Sequence, residues 1–110
     1  MTAPIFSISM SAPSADECIV TVVGELDLGT VAQLRDALDV APPDVVVDMS
    51  GVTFADSTAL HVLVSAHELR DGDGHRLLIR HPGDAVVRLF EVTGLADVFN
   101  VEKARSDSSS

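Results

Sequence analysis

A short β-branched run, Val45-Val46-Val47, is followed about ten residues later by a strongly apolar helical pattern, and this strand–loop–helix unit constrains the fold most. A continuous apolar run of this kind is typical of a strand that is central in its sheet. The following helix, predicted over residues 57–70, is apolar around most of its circumference, so it cannot lie free on a surface. The unit therefore predicts an α/β domain in which this helix packs on the sheet.

The rest of the chain extends this unit in both directions. Alternating or apolar runs predict strands at 5–10, 18–23, 44–49, 76–79 and 98–101. Val31, Leu34 and Leu38 share one helical face, which predicts a helix that ends at Pro42, with Thr30 or Asp27 as its cap. A third helix is predicted at 84–93 before Gly94. The order β β α β α β α β favours an antiparallel hairpin followed by parallel strands with right-handed crossovers.

Length and charge limit the functions that such a domain can have. The chain has 110 residues, 46% of them apolar, which suits one domain at 1–102 and a disordered polar tail at 103–110. The formal net charge of −10 argues against direct binding of nucleic acid or of an anionic membrane. No apolar run is long enough to span a bilayer, and residues 1–4 show no secretion signal. A lone cysteine, Cys18, excludes an internal disulfide, so a cytoplasmic location is expected.

The start of the second helix is the strongest candidate site. Asp56-Ser57-Thr58 places a serine hydroxyl where free backbone N–H groups and the helix dipole favour negative charge, which suits a phosphorylated serine. Simple helix capping is the alternative for these three residues. A polar stripe runs along the same helix and is either an ordinary solvated seam or a docking edge; it consists of Thr58, His61, Ser65 and Glu68.

Catalysis and metal binding are disfavoured by the pattern. His61, one turn along the same helix, is the sole histidine that could activate Ser57 as a nucleophile, and no acidic residue is placed to orient it. The spacing of the four histidines does not suggest a metal site, and Asp71-Gly72-Asp73-Gly74 lacks the remaining ligands of a calcium loop. We expect neither an enzyme nor a cofactor.

Three segments together resemble a STAS domain of the anti-sigma factor antagonist family. They are Gly24-Glu25-Leu26-Asp27, the run from Val45 through Phe54, and Asp56-Ser57-Thr58-Ala59-Leu60, which is similar to the family's D-S-[ST]-G-[LI] phosphorylation motif. The resemblance covers about residues 5–101. It implies the STAS fold, a mixed, mostly parallel sheet of about five strands with helices packed mainly on one face.

The resemblance also implies a function. The unphosphorylated protein would bind an anti-sigma factor with serine kinase activity and release a sigma factor, phosphorylation of Ser57 would end the interaction, and a serine phosphatase would reset it. The partner face is predicted to comprise Asp27, Asp56, Ser57, Thr58, Ala59 and His61. The alternative is a STAS module that acts as an unphosphorylated adaptor, in a stressosome-like assembly or a lipid-transport complex.

Two features depart from the family pattern. Ala59 stands where the motif has glycine, and at about the third helical position alanine is the better helix former. Its methyl group would lie close to an approaching partner. The segment 103–110 lacks the apolar periodicity of the fourth helix that family members often carry.

Overall fold

The computed structural model describes residues 6–14 and 17–102. The elements follow the predicted order: β1 Ser7–Ser14, β2 Glu17–Leu26, α1 Val31–Val40, β3 Val45–Ala55, α2 Ser57–Gly72, β4 Leu77–Arg80, α3 Asp84–Thr93 and β5 Asn100–Glu102. The predicted tail at 103–110, and with it the predicted lack of a fourth helix, lies outside the described residues. Within the described part, no helix combines the length and apolar character needed to cross a membrane.

The five strands lie side by side in sequence order, β1-β2-β3-β4-β5. β1 is antiparallel to β2, and every later neighbour pair is parallel. Because successive right-handed crossovers advance in one direction, α1, α2 and α3 all come to lie on one face of the sheet. Burial agrees, since every second residue of β2 from Cys18 to Leu26 is buried while the alternate residues from Glu17 to Glu25 are more exposed. The predicted fold is confirmed.

The core lies between the sheet and these three helices. The strands contribute Val47, Met49, Leu77 and Ile79, each fully buried. The helices cover them with Leu34 of α1, Leu63 of α2, and Val86 and Phe90 of α3, and Phe90 also packs on Phe99 at a ring-centroid distance of 5.0 Å. Gly94 ends α3 in the left-handed conformation, φ 77°, as its position predicted.

β3 is longer than the sequence predicted. The expected end at residue 49 was wrong, because the strand continues to Ala55 alongside β2 through two register shifts. At the first shift the Asp48 carboxylate accepts hydrogen bonds from Ser50 N (2.9 Å) and Ser50 Oγ (2.8 Å). Gly51 fits here because a Cβ would approach Val23 Cγ2 to 3.0 Å. The extension places the start of α2 next to the end of β2.

Arg70 of α2 connects this helix to the C-terminal end of α1. Its guanidinium donates to the Leu38 carbonyl (3.1 Å) and the Pro42 carbonyl (3.3 Å) beyond the end of α1, and to the Ala66 carbonyl within α2 (3.2 Å). The α1 end would otherwise leave its last carbonyl groups without partners. This contact fixes the relative position of α1 and α2.

Candidate functional site

Asp56 caps α2 and so determines where the helix begins. One oxygen, Oδ1, accepts the backbone N–H of Thr58 (2.9 Å) and of Ala59 (3.4 Å) and also the Thr58 hydroxyl. The Asp56 N–H donates to the Leu26 carbonyl at the end of β2 (3.1 Å). Capping, the alternative considered from the sequence, is therefore the role of Asp56, whereas Ser57 is the first helical residue.

The carboxyl group of Asp56 is held in its ionised form. The hydrogen bond from the Thr58 hydroxyl is the main reason that its pKa lies below the ordinary value. The N–H groups of Ala59 and Thr58 lower the pKa further, and partial burial opposes them. A negative charge consequently lies next to Ser57 in the chain at neutral pH.

Ser57 differs from its neighbour in the freedom of its hydroxyl group. Its side chain is exposed, and its hydroxyl makes no hydrogen bond within residues 6–14 and 17–102. The Thr58 hydroxyl is partly buried and donates to Asp56. The Ser57 hydroxyl is therefore open to a second protein, and no described residue accepts its proton, as a nucleophilic serine would require.

Asp27 lies in the tight turn between β2 and α1. Its Oδ1 accepts from Gly29 N (2.9 Å), and the Thr30 hydroxyl, which lies 3.3 Å from the same oxygen, donates to the Glu25 carbonyl (2.7 Å). Thr30 is the N-cap residue of α1, but its side chain makes no capping bond. The predicted cap is thus correct in position, while the side chains of Asp27 and Thr30 stabilise the turn instead.

The parallel register brings these loops together. Leu26 of β2 pairs with Ala55 of β3. Asp27 directly follows Leu26 and Asp56 directly follows Ala55, so the two aspartates leave the sheet at the same level. The preceding pair is Glu25 with Phe54. We call the three acidic residues Glu25, Asp27 and Asp56 the acidic rim. Because the carboxyl ends of neighbouring parallel strands meet at one edge of a sheet, Asp27 and Asp56 lie at the same edge, with Ser57 next along the chain.

Ala59 does not belong to the exposed surface. It is the third residue of α2, as counted from the sequence, but its side chain is fully buried. The predicted placement of its methyl group within reach of a partner is therefore corrected: the methyl group is part of the hydrophobic core. An influence of this position on a partner would have to act through the backbone of α2.

The remaining stripe residues of α2 are exposed, as a docking edge requires. His61, one turn after Ser57, is exposed, and so are Ser65 and Glu68. Two further exposed apolar side chains lie near the acidic rim and were not predicted from the sequence. Leu28, next to Asp27, is 79% exposed, and Phe54, opposite Glu25, is 47% exposed. An isolated leucine and an isolated phenylalanine carry no periodic signal, so the pattern did not reveal them.

The described residues contain no cluster of three or more histidine, cysteine or acidic side chains that could hold a metal ion. Cys18 is buried, as expected for a small core residue.

Comparisons with known proteins agree with this architecture. A family model described as "Mlab, STAS domain" matches residues 10–102. The anti-sigma-B factor antagonist of Listeria monocytogenes is 30% identical over 105 residues, which cover 92% of each chain. The anti-sigma-B factor antagonist of Staphylococcus aureus is 34% identical over 88 residues, which cover 76% of this chain and 82% of that protein.

A solved structure extends the likeness to three dimensions. The crystal structure of an anti-sigma factor antagonist from Mycobacterium paratuberculosis superposes with a TM-score of 0.77 at 27% identity, and the match covers 94% of this chain and 92% of that one. Fold, family model and relatives are consistent with one another, and the chain belongs to the STAS domain family.

Proposed function

We propose that this protein is an anti-sigma factor antagonist switched by phosphorylation at Ser57. The unmodified protein binds an anti-sigma factor with serine kinase activity and so frees a sigma factor in the cytoplasm. The kinase transfers phosphate to Ser57 and the complex dissociates, and a serine phosphatase restores binding. The observation that carries the proposal is the exposed Ser57 hydroxyl at the first position of α2, which has no hydrogen-bond partner in the part of the chain that the structure describes. The names of the Listeria and Staphylococcus relatives support it.

The geometry supports a switch that acts at the surface. A phosphate on Ser57 would add a charge of about −1.5 to −2. The N-terminus of α2 favours that charge, typically by about 0.3–1 kcal/mol, whereas the neighbouring Asp56 carboxylate opposes it. Because Asp56 already satisfies Thr58 N and Ala59 N, the phosphate is not needed as a cap. Phosphorylation should therefore leave the fold intact and change mainly the surface that a partner meets.

The direct test uses the purified anti-sigma factors encoded in the same genome. Each is incubated with this protein and Mg-ATP, and the peptide that contains Ser57 is analysed by mass spectrometry, with Ser57→Ala as the control. We expect phosphate on Ser57, tight binding of the unmodified form and weak binding of the phosphorylated form. Partner binding without any phosphate on Ser57 would refute the switch and favour the adaptor alternative.

A further inference from the structure

A groove with a cavity volume of about 440 Å³ runs between α1 and α2. Its floor is apolar, formed by Leu38, Val62 and Ala66, all buried. Leu69 lines one end, and its side chain is 72% exposed. An exposed leucine next to an apolar groove floor forms an exposed apolar patch, and such patches are typical of surfaces that bind a second molecule.

The charge of this groove is opposite to that of the protein as a whole. The chain has a formal net charge of −10, yet the groove is lined by two arginines, Arg35 and Arg70, against one carboxylate, that of Asp39. Arg35 is exposed and makes no ion pair or hydrogen bond with any described residue. The positive side chains of Arg35 and Arg70 favour carboxylates of a partner at this groove, which gives that partner a defined orientation.

Arg70 gives the groove a fixed positive charge. Its guanidinium donates to three backbone carbonyls and forms no ion pair within the described residues. Its Nε is buried and without a hydrogen-bond partner there. Burial lowers the pKa of Arg70, and nearby Asp39 and Asp44 oppose that effect, but an arginine stays charged at neutral pH. Carbonyl dipoles hold this charge in place without neutralising it.

The shape of the groove favours a protein segment over a small molecule. The wall from His61 to Arg70 spans nine helical steps, or about 14 Å, which matches two to three turns of a helix. A small ligand in a pocket is typically enclosed over about 70–90% of its surface. This groove is open along the side where Arg35, His61 and Leu69 are exposed. A helix laid along it would cover Leu69 with apolar side chains at i, i+3 or i+4, and i+7.

We propose that this groove binds an acidic amphipathic helix of the same anti-sigma factor kinase, with apolar side chains on Leu38, Val62 and Leu69 and carboxylates facing Arg35 and Arg70. The assignment of the partner rests on the proposed function. The groove begins at His61, one helical turn after Ser57, so one partner can contact both. The groove then contributes affinity and orientation in either phosphorylation state, while Ser57 acts as the switch.

The test measures binding of the purified kinase to the full chain by isothermal titration calorimetry. Arg35→Glu and Leu69→Ser should each raise Kd by about tenfold. The first repels the carboxylates of the partner helix, and the second removes apolar contact with it. The matched controls on α3 are Arg88→Glu and Val92→Ser, since Arg88 is exposed and Val92 is 78% exposed. Both controls should bind as the wild type does, and circular dichroism checks that all four variants fold.

A charge swap tests the acidic character of the partner helix. Replacing its glutamate or aspartate nearest the groove by arginine should restore binding to Arg35→Glu and weaken binding to the wild type. Wild-type affinity in both Arg35→Glu and Leu69→Ser overturns the groove assignment and leaves the proposed function standing. If the wild-type protein binds no anti-sigma factor of its genome, the proposed function fails, and this partner assignment fails with it.

Discussion

Replacing Asp56 by alanine should destabilise the domain by about 1–2 kcal/mol, the upper part of the roughly 0.5–2 kcal/mol that loss of an N-cap residue costs. The structure places this change at the upper end of the range, because one oxygen serves three donors: Thr58 N, Ala59 N and the Thr58 hydroxyl. All three would lose their protein acceptor at once. For a domain of 110 residues, 1–2 kcal/mol corresponds to a fall in Tm of roughly 4–8 °C.

The same carboxylate predicts a pH dependence. The pKa of Asp56 is lowered in the folded protein relative to its ordinary value of 3.8, mainly by the hydrogen bond from the Thr58 hydroxyl. A group with a depressed folded-state pKa stabilises the fold above its unfolded pKa, and this contribution is lost as the pH falls through the folded value. The stability advantage of the wild type over Asp56→Ala should therefore be full at pH 7 and shrink progressively below about pH 4.

Urea unfolding followed by circular dichroism at pH 7 and at acid pH measures both effects. Asp84→Ala is the matched control, because Asp84 lies in the first turn of α3, where the N-cap residue Gly83 offers no side-chain bond. There only the helix-dipole contribution is lost, about 0.3–1 kcal/mol. If Asp56→Ala is no less stable than the wild type at pH 7, or if its deficit is equally large at pH 3, the capping argument is refuted.

The order of the elements was predictable because it depends on local periodicity. The apolar spacing of Leu34 and Leu38, the run at Val45 and the position of Gly94 are short-range signals, and the structure confirms each of them. The meeting of the Asp27 and Asp56 loops was also predictable. It follows from placing β2 and β3 as parallel neighbours, whose carboxyl ends share one edge of the sheet.

The full length of β3 could not be predicted from local sequence, because it depends on tertiary structure. The extension of β3 past Ser50 depends on pairing with β2 across two register shifts, and the close approach of Gly51 to Val23 has no local signature. The burial of Ala59, in contrast, has a local signature in the sequence. Ala59, Leu63 and Ala66 are spaced i, i+4, i+7, the spacing of a buried helical face, and all three are buried. The periodicity of α2 therefore favours an inward methyl group at position 59, whereas the comparison with the family motif assigned this position to the partner face.

The remaining predictions concern the surface around the first turn of α2. Ser57→Ala should leave Tm unchanged, since the hydroxyl has no bond within the described residues, and Ser57→Asp should keep its circular dichroism signal but lose partner affinity. In the wild type, phosphopeptide mapping should find little phosphate on Thr58, whose hydroxyl is bound to Asp56. Asp27→Asn should leave Tm unchanged, because an amide oxygen can accept the hydrogen bond from Gly29 N, while the affinity for the kinase should fall. Unchanged affinity would show that Asp27 only stabilises the turn. Ala59→Gly should lower stability by roughly 1 kcal/mol from helix propensity, and further through loss of a buried methyl group. Because that methyl group faces the core, the affinity of the folded protein for the kinase should not change. A gain in affinity or in Ser57 phosphorylation rate, measured well below Tm, would show that this position acts on the partner through the backbone.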